Sequence, residues 1–550
     1  MIDRRGFIGV GVAGGLGAVA VASGCAPEGG SRDVAAGSAE GDAGGAMAVP
    51  PFELDEATVD GLQASMASGE RTARSIAEMY LERIEALDGQ GPELRSIIET
   101  NPDALAIADE LDAERAAGSV RGPLHGIPVA LKDNIDTHDR MTTTAGSLAL
   151  EGSVPPQDSF IAARLREAGA IPFAKANLSE WAYFRGVRAT SGWSARGGQC
   201  RNPYALDRNP CGSSSGSGVA ASANLCALTV GTETGGSIMC PSSSNGIVGI
   251  KPTVGLWSRA GVIPISHSQD TAGPMCRTVR DAAALLGACT GVDPRDPATA
   301  ASEGRAHTDY TQFLDAAGLQ GARIGVVRSF PGFDPRVLAL FDEAVEAMRV
   351  EGAVIIDPAN MDAAAWNDPL SLVLLEYEFK ADLNAYLEGL GSDAPVKSLA
   401  EVIEFNERNA DREMPHFGQQ RLIASQARGP LTDPEYRNAV ATIQRANRED
   451  GIDRLAREHD LDAIVAPTRD LPWPTDHIKG DRLDGGSSAA PAAIAGYPDI
   501  TVPMGFVRGL PAGVSFFGPA WTEPTLLRIA YAYEQATQQR RAPTFAATLG

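Results

Sequence analysis

Two glycine- and serine-rich stretches, separated by one apolar segment, are the part of this chain best suited to chemistry. The first is Pro210-Cys211-Gly212-Ser213-Ser214-Ser215-Gly216-Ser217-Gly218; the second is Gly231-Thr232-Glu233-Thr234-Gly235-Gly236-Ser237-Ile238. A Gly-Gly pair before a serine lets several backbone N–H groups converge on one point, which suits stabilising the oxyanion of acyl transfer. Glycine-rich loops also cradle phosphate, but neither stretch has the G-x-x-x-x-G-K-[ST] pattern. Gly212 to Gly216 matches the G-x-S-x-G elbow of α/β-hydrolases, with Ser214 as nucleophile. That elbow follows a strand and needs a later acid and histidine. Here the run Arg201 to Pro210 contains Pro203 and Pro210 and is too polar for a buried central strand. His267, His307, His416, His459 and His477 sit in no motif and read as surface or hydrogen-bonded residues. No His pair has metal-ligand spacing, so neither metal nor cofactor is expected.

Without a histidine, a serine nucleophile needs another base. The lysines are Lys132, Lys175, Lys251, Lys380, Lys397 and Lys479, so Arg supplies nearly all the positive charge. Arg is effectively always protonated, whereas a buried Lys can give up its proton. Lys132 ends the apolar stretch Gly126-Ile127-Pro128-Val129-Ala130-Leu131, a short strand, and is the available base.

The elements that must position these groups follow from periodicity. Ile76 to Leu87, with Gly89 as a stop, and Pro102 to Ala117 read as helices. Ile161 to Gly169 reads as a helix leading into a strand, Ala170 to Ala174. Ser217 to Leu225 reads as a helix and Ala227 to Val230 as a buried strand. Ile324 to Pro358 makes a βαβ unit with its helix over Pro335 to Glu351. Residues 362–449 lack strand signals and read as a helical insertion or lid. Leu461 to Val465 returns the chain to the sheet, Ile500 to Phe517 is a hairpin, and Glu523 to Gln538 a closing helix. Such alternation predicts an α/β fold: a large mixed, mostly parallel central sheet covered by helices on both faces.

The 550 residues carry a net charge of −23, which argues against a nucleic-acid partner. The 43% hydrophobic content permits a large core. Asp3-Arg4-Arg5-Gly6-Phe7-Ile8 resembles a twin-arginine export signal, and Ala22-Ser23-Gly24-Cys25 a lipoprotein cleavage box. The expectation is a signal peptide over 1–24, a flexible tether over 25–50 and a single domain over 51–550. Export to the periplasm or another extracytoplasmic space follows, with membrane attachment through a lipidated Cys25. Cys200, Cys211, Cys226, Cys240, Cys276 and Cys289 lie close in sequence. An exported protein can pair some of them, but buried free thiols are the favoured reading.

Lys132 in its Gly-Ile-Pro-Val-Ala-Leu-Lys-Asp-Asn context, Ser213, Ser237 in Gly-Gly-Ser-Ile, and Gly246-Ile247-Val248-Gly249-Ile250-Lys251-Pro252-Thr253 together resemble the amidase signature family. The likeness runs from about residue 55 to 540. Asn177-Leu178-Ser179-Glu180-Trp181-Ala182, Ser191 to Gln199 and Ser268 to Met275 resemble its bacterial peptide amidases. The family pattern departs at Cys211, Glu233 and Met239, leaving the lysine and both serines intact.

The resemblance implies a serine amidohydrolase that cleaves peptide or small-molecule carboxamides without a cofactor. Ser237 is then the nucleophile, Ser213, after a cis peptide, the proton relay, and neutral Lys132 the base. The N–H groups of Thr234, Gly235, Gly236 and Ser237 form the oxyanion hole, and Ser214 has a supporting role. Asp133 must point away from Lys132 if the amine is to be neutral. Lys175 and Lys251 fit structural positions. Two other readings are a lipid-anchored solute-binding protein on the same fold and the amidase component of a glutamyl-tRNA amidotransferase. The intact Lys132, Ser213 and Ser237 oppose the first, and the export signal the second.

Overall fold

The computed structural model describes residues 47, 49–362, 368–482 and 485–549. The signal-peptide segment and the tether up to residue 46, including Cys25, lie outside the described residues. Eleven apolar runs pair into one sheet: β1 Ile97–Thr100, β2 Pro128–Lys132, β3 Ile171–Ala176, β4 Leu228–Glu233, β5 Val248–Lys251, β6 Thr271–Cys276, β7 Arg323–Val326, β8 Val354–Ile356, β9 Ala463–Pro467, β10 Asp499–Val507 and β11 Leu510–Phe517. Their spatial order is β1-β3-β2-β4-β6-β5-β10-β11-β9-β7-β8.

The mixed, helix-covered sheet matches the expectation, but its parallel pairings are fewer than expected. They are confined to two blocks, β3-β2-β4 and β9-β7-β8. All other neighbours in the sheet run antiparallel. The physical reason is local. Only segments joined through a helix crossover can return parallel, whereas β10 and β11 are joined by a tight turn. β2, β3 and β4 are buried along their whole length, as strands covered on both faces must be.

Helices form where apolar spacing and caps agree. Ser159 accepts a hydrogen bond from the N–H of Ala162 to start Phe160–Glu167, and Thr278 does the same for Val279–Ala288 through Asp281. Within the stretch read as an insertion lie the helices Leu370–Gly389, Leu399–Arg408, Ala410–Glu413, Gln420–Gln426 and Pro434–Asn447. Phe379, Leu383, Leu399, Val402 and Leu422 from these helices share an apolar cluster with Leu150, Leu178, Trp181 and Ile265. The helical layer is thereby fixed onto the loops around the C-terminal ends of β2 and β3. Among the described residues, no helix is long and apolar enough to cross a membrane.

Candidate active site

Lys132 is the last residue of β2, the middle strand of a parallel block, so its amine emerges where β3, β2 and β4 all end. Ligand sites in such sheets lie off those carboxyl ends. The lysine is fully buried, and Nζ lies 2.7 Å from Ser213 Oγ, 2.8 Å from Thr232 Oγ1 and 3.2 Å from the Thr232 carbonyl. Among the described residues, no carboxylate bonds it. Burial pushes its pKa down to about 7, against a smaller upward pull from Asp270 and Glu233. At neutral pH, much of the amine is therefore unprotonated, with its lone pair available to Ser213.

Asp133, the next residue, turns elsewhere as expected. Its carboxylate accepts from the Thr144 hydroxyl and from Gly146 N–H at 3.2 Å. Lys175 donates to the Ile135 carbonyl at 2.5 Å and to Thr143 Oγ1 at 2.8 Å, while Lys251 donates to the Pro252 carbonyl at 3.0 Å. Both lysines are buried ties on backbone.

The first serine loop runs into the helix Ser215–Ser222 through a cis peptide between Gly212 and Ser213. Ser214 locks this loop to β4: its hydroxyl donates to the Thr232 carbonyl at 2.9 Å and accepts from Thr232 N–H at 3.1 Å. Gly231 makes the approach possible, since a Cβ there would lie 2.9 Å from Ser214 Oγ and 2.4 Å from Met275 Sδ. β4 extends to Glu233, three residues beyond the expected end at Val230, because Thr232 and Glu233 keep pairing with β6.

The second loop is bent back on itself. Glu233 Oε2 accepts from the N–H groups of Ile238 at 2.7 Å and Met239 at 3.0 Å. Thr234 is held from below: its hydroxyl donates to Asp270 at 2.5 Å, and its carbonyl accepts from Gln269 Nε2 at 2.9 Å. Gly236 has φ of +96°, a conformation costly for any other residue. The N–H groups of Gly235, Gly236 and Ser237 donate to no protein acceptor among the described residues. Gly235 is exposed and Ser237 half-buried, whereas Lys132, Ser213 and Ser214 are buried. The two loops meet directly: Ser214 N–H donates to the Ser237 carbonyl at 3.2 Å, and Cys211 and Cys240 form a disulfide.

The geometry therefore brings Lys132, Ser213, Ser214 and the 234–237 loop together. A buried amine whose pKa is lowered to about 7 touches one serine hydroxyl, and a second serine on an open glycine turn is tied to the same loop. Such a site can activate a hydroxyl and hold an oxyanion. The protein matches the amidase family model over residues 75–527. The chain belongs to the amidase family. A crystal structure of native peptide amidase from Stenotrophomonas maltophilia superposes on this amidase with a TM-score of 0.85 at 50% identity, covering 90% of this chain and 99% of that one. An Arabidopsis thaliana protein named "Probable amidase" is 43% identical across 90% of this chain and 93% of its own. A Schizosaccharomyces pombe protein named "Putative amidase" is 38% identical over 90% of this chain and 87% of its own. This amidase is accordingly an amide hydrolase.

Sequence reasoning gave no role to four residues that build this amidase site. Thr232 supplies two of the atoms around the Lys132 amine, and Asn134 Nδ2 donates to Thr232 Oγ1 at 3.0 Å. Gln269 and Asp270 brace Thr234. The signal for Thr232 was the length of β4: a strand two residues longer places its side chain level with the end of β2. The cysteine reading needs a correction. Cys200, Cys226, Cys276 and Cys289 are buried thiols, but Cys211 and Cys240 are paired, because the two serine loops bring their Cα atoms to 5.9 Å.

His267, Glu378 and Asp382 also cluster, with one ligand atom from each within 4.8 Å of the others. These atoms already satisfy one another and their neighbours. Glu378 accepts from Ser268 Oγ at 2.8 Å and Tyr436 Oη at 2.8 Å, and the His267 ring pairs with Asp382 at 2.9 Å. The group is a clasp between the loop preceding β6 and the helices Leu370–Gly389 and Pro434–Asn447.

Proposed function

We propose that this amidase is an exported enzyme that hydrolyses the C-terminal carboxamide of peptides to carboxylate and ammonia. The observation that carries the chemistry is the 2.7 Å contact between the buried Lys132 amine and Ser213 Oγ, with no carboxylate among the described residues bonded to the amine. Ser237 Oγ attacks the amide carbon and passes its proton to Ser213, whose own proton moves to neutral Lys132. The backbone N–H groups of Thr234, Gly235, Gly236 and Ser237 take the oxyanion of the tetrahedral intermediate. Collapse expels ammonia, which receives its proton through Ser213 from Lys132. Water then enters by the same relay and releases the acyl group as a carboxylate.

The substrate class draws support from the 50% identity to a peptide amidase structure. Export draws support from the Asp3 to Ile8 motif and from the Cys211–Cys240 disulfide, since disulfides persist in oxidising compartments. Attachment through Cys25 rests on the Ala22 to Cys25 box alone.

Ammonia release from a panel of dipeptide amides, amino-acid amides and aryl amides tests the reading. Turnover of peptide amides ahead of the others is expected, with loss of activity in Ser237→Ala. Wild-type ammonia release from Ser237→Ala overturns the nucleophile. Binding of peptide amides without turnover overturns the enzyme in favour of a solute-binding protein.

A further inference from the structure

Cys211 lies two positions before Ser213, and Cys240 three positions after Ser237. Their disulfide is thus a covalent bond between the loop that carries one hydroxyl of the relay and the turn that carries the other. The other ties across this gap are hydrogen bonds: Ser214 N–H to the Ser237 carbonyl at 3.2 Å, the Ser214 hydroxyl to the Thr232 carbonyl at 2.9 Å and from Thr232 N–H at 3.1 Å, and Asn245 Nδ2 to the Pro210 carbonyl at 2.9 Å.

Two features mark this pair as more than two thiols that happen to be close. Cys211 has φ of +59°, in the left-handed region where glycine is the unstrained residue. A side chain is placed there despite that preference, and it is the one that reaches Cys240. The other described cysteines, Cys200, Cys226, Cys276 and Cys289, are buried free thiols, so pairing is selective for the catalytic loops. The bridge is also seated. Trp473 shares a buried apolar cluster with the two cysteines, and Asn209 Oδ1 accepts from Cys211 N–H at 2.8 Å while Asn209 N–H donates to the Trp473 carbonyl at 2.7 Å.

We propose that the Cys211–Cys240 disulfide is a positioning cross-link between the loops that carry Ser213 and Ser237, so that it sets kcat rather than the fold. The proposal rests on the Ser237–Ser213–Lys132 reading above. Both loops are anchored by elements that do not need the bridge, β4 with β6 on one side and the Ser215–Ser222 helix on the other. Breaking the bridge leaves those anchors in place and frees only the spacing between the hydroxyls. Proton relay is steeply sensitive to such spacing.

A dithiol reductant supplies the two electrons and two protons that convert the bridge to two thiols, and is itself oxidised to a cyclic disulfide. On the full chain, thiol titration should then gain two thiols while circular dichroism and the melting transition retain the folded form. Reduced wild type is expected to lose roughly 10- to 100-fold in kcat on a dipeptide amide, with KM changed less than about twofold, and to recover on reoxidation. Cys211→Gly/Cys240→Ala keeps a residue suited to the left-handed backbone and should show the same low kcat, indifferent to reductant. Unchanged kcat in the reduced enzyme or in that variant overturns the proposal, as does a loss that appears only with unfolding. Should oxidised wild type release no ammonia from any amide, the hydrolase reading fails. Labelling of Ser237 by a fluorophosphonate then tests the cross-link separately: slower labelling after reduction supports it, and equal labelling overturns it.

Discussion

Lys132 and Asp133 are adjacent in the chain, yet their side chains share no bonding partner. The amine meets Ser213 and Thr232, while the carboxylate meets Thr144 and Gly146. The separation matters because a carboxylate bonded to the amine would hold it as an ammonium ion, and an ammonium ion has no lone pair for a serine proton. The carboxylates that do act on Lys132, Asp270 and Glu233, do so without bonding it and against a larger effect of burial.

The rate should therefore follow the titration of one buried amine. With the Lys132 pKa lowered to about 7, kcat/KM is expected to rise tenfold per pH unit below that value and to level off above it. Asp270→Asn removes the largest charge that favours the ammonium, so its acid limb should move to lower pH. Lys132→Met should lose roughly 10³-fold or more on the plateau above pH 7 and should lack the acid limb. Initial rates against pH for the three proteins check this, and an acid limb that does not move in Asp270→Asn excludes the assignment.

Replacement of the same amine should move activity and stability in opposite directions. Its pKa is depressed on folding, from 10.5 to about 7, so the unfolded chain binds the extra proton between those values. The penalty for burying Lys132 is complete below about pH 7, shrinks as pH rises, and is gone above about pH 10.5. Lys132→Met keeps the apolar stem without the charge. It should stabilise the fold at pH 7, with an upper bound on the order of 4 kcal/mol from the linkage, and the gain should vanish toward pH 10.5. Denaturant unfolding of inactive variant and wild type across pH reads this directly, and a pH-independent difference would rule it out.

Thr232 offers a finer test, because its polar atoms meet Lys132, Asn134 and Ser214. Thr232→Val keeps the shape but removes Oγ1, which lies 2.8 Å from Lys132 Nζ and accepts from Asn134. The loss of one hydrogen bond to a buried group should cost roughly tenfold in kcat, with KM little altered. The ammonium loses an acceptor, so its pKa falls and the acid limb shifts to lower pH. Steady-state kinetics over a pH series decides, with an upward shift counting against the placement.

Much of this site was legible in sequence because its parts are local. A lysine at the end of an apolar run, a serine between glycines and a Gly-Gly-Ser turn each carry their own backbone requirement. What connects them is not local. Thr232 reaches Lys132 only through the parallel register that sets Leu131 opposite Val230, and Asp270 reaches Thr234 only because β6 returns antiparallel to β4. The proportion of parallel pairings was misjudged for the same reason: periodicity marks a strand but not the direction of its neighbour. Cys211 and Cys240 sit 29 residues apart among four other candidates, and nothing in their spacing singles them out.

The clasp at His267 should couple the helical layer to the core in acid. His267 lies between Asp382 at 2.9 Å and Glu378 at 3.3 Å, both on the helix Leu370–Gly389, with Tyr436 Oη also 3.3 Å from its ring. Asp382 raises the His267 pKa above 6.5 through its hydrogen bond, and Glu378 adds to the effect; burial and Arg259 act against it. A histidine raised on folding stabilises fully below its unfolded pKa of about 6.5, and that contribution is lost as pH rises through the higher folded value. His267→Gln retains a polar side chain but cannot gain the charge. Its melting temperature should fall furthest below wild type at about pH 5.5 and approach it at about pH 8.5, where both side chains are neutral. Amide exchange in the Leu370–Gly389 helix should quicken over the same acid range in the variant alone. A deficit of equal size at both pH values would mean that His267 acts through packing, not through charge.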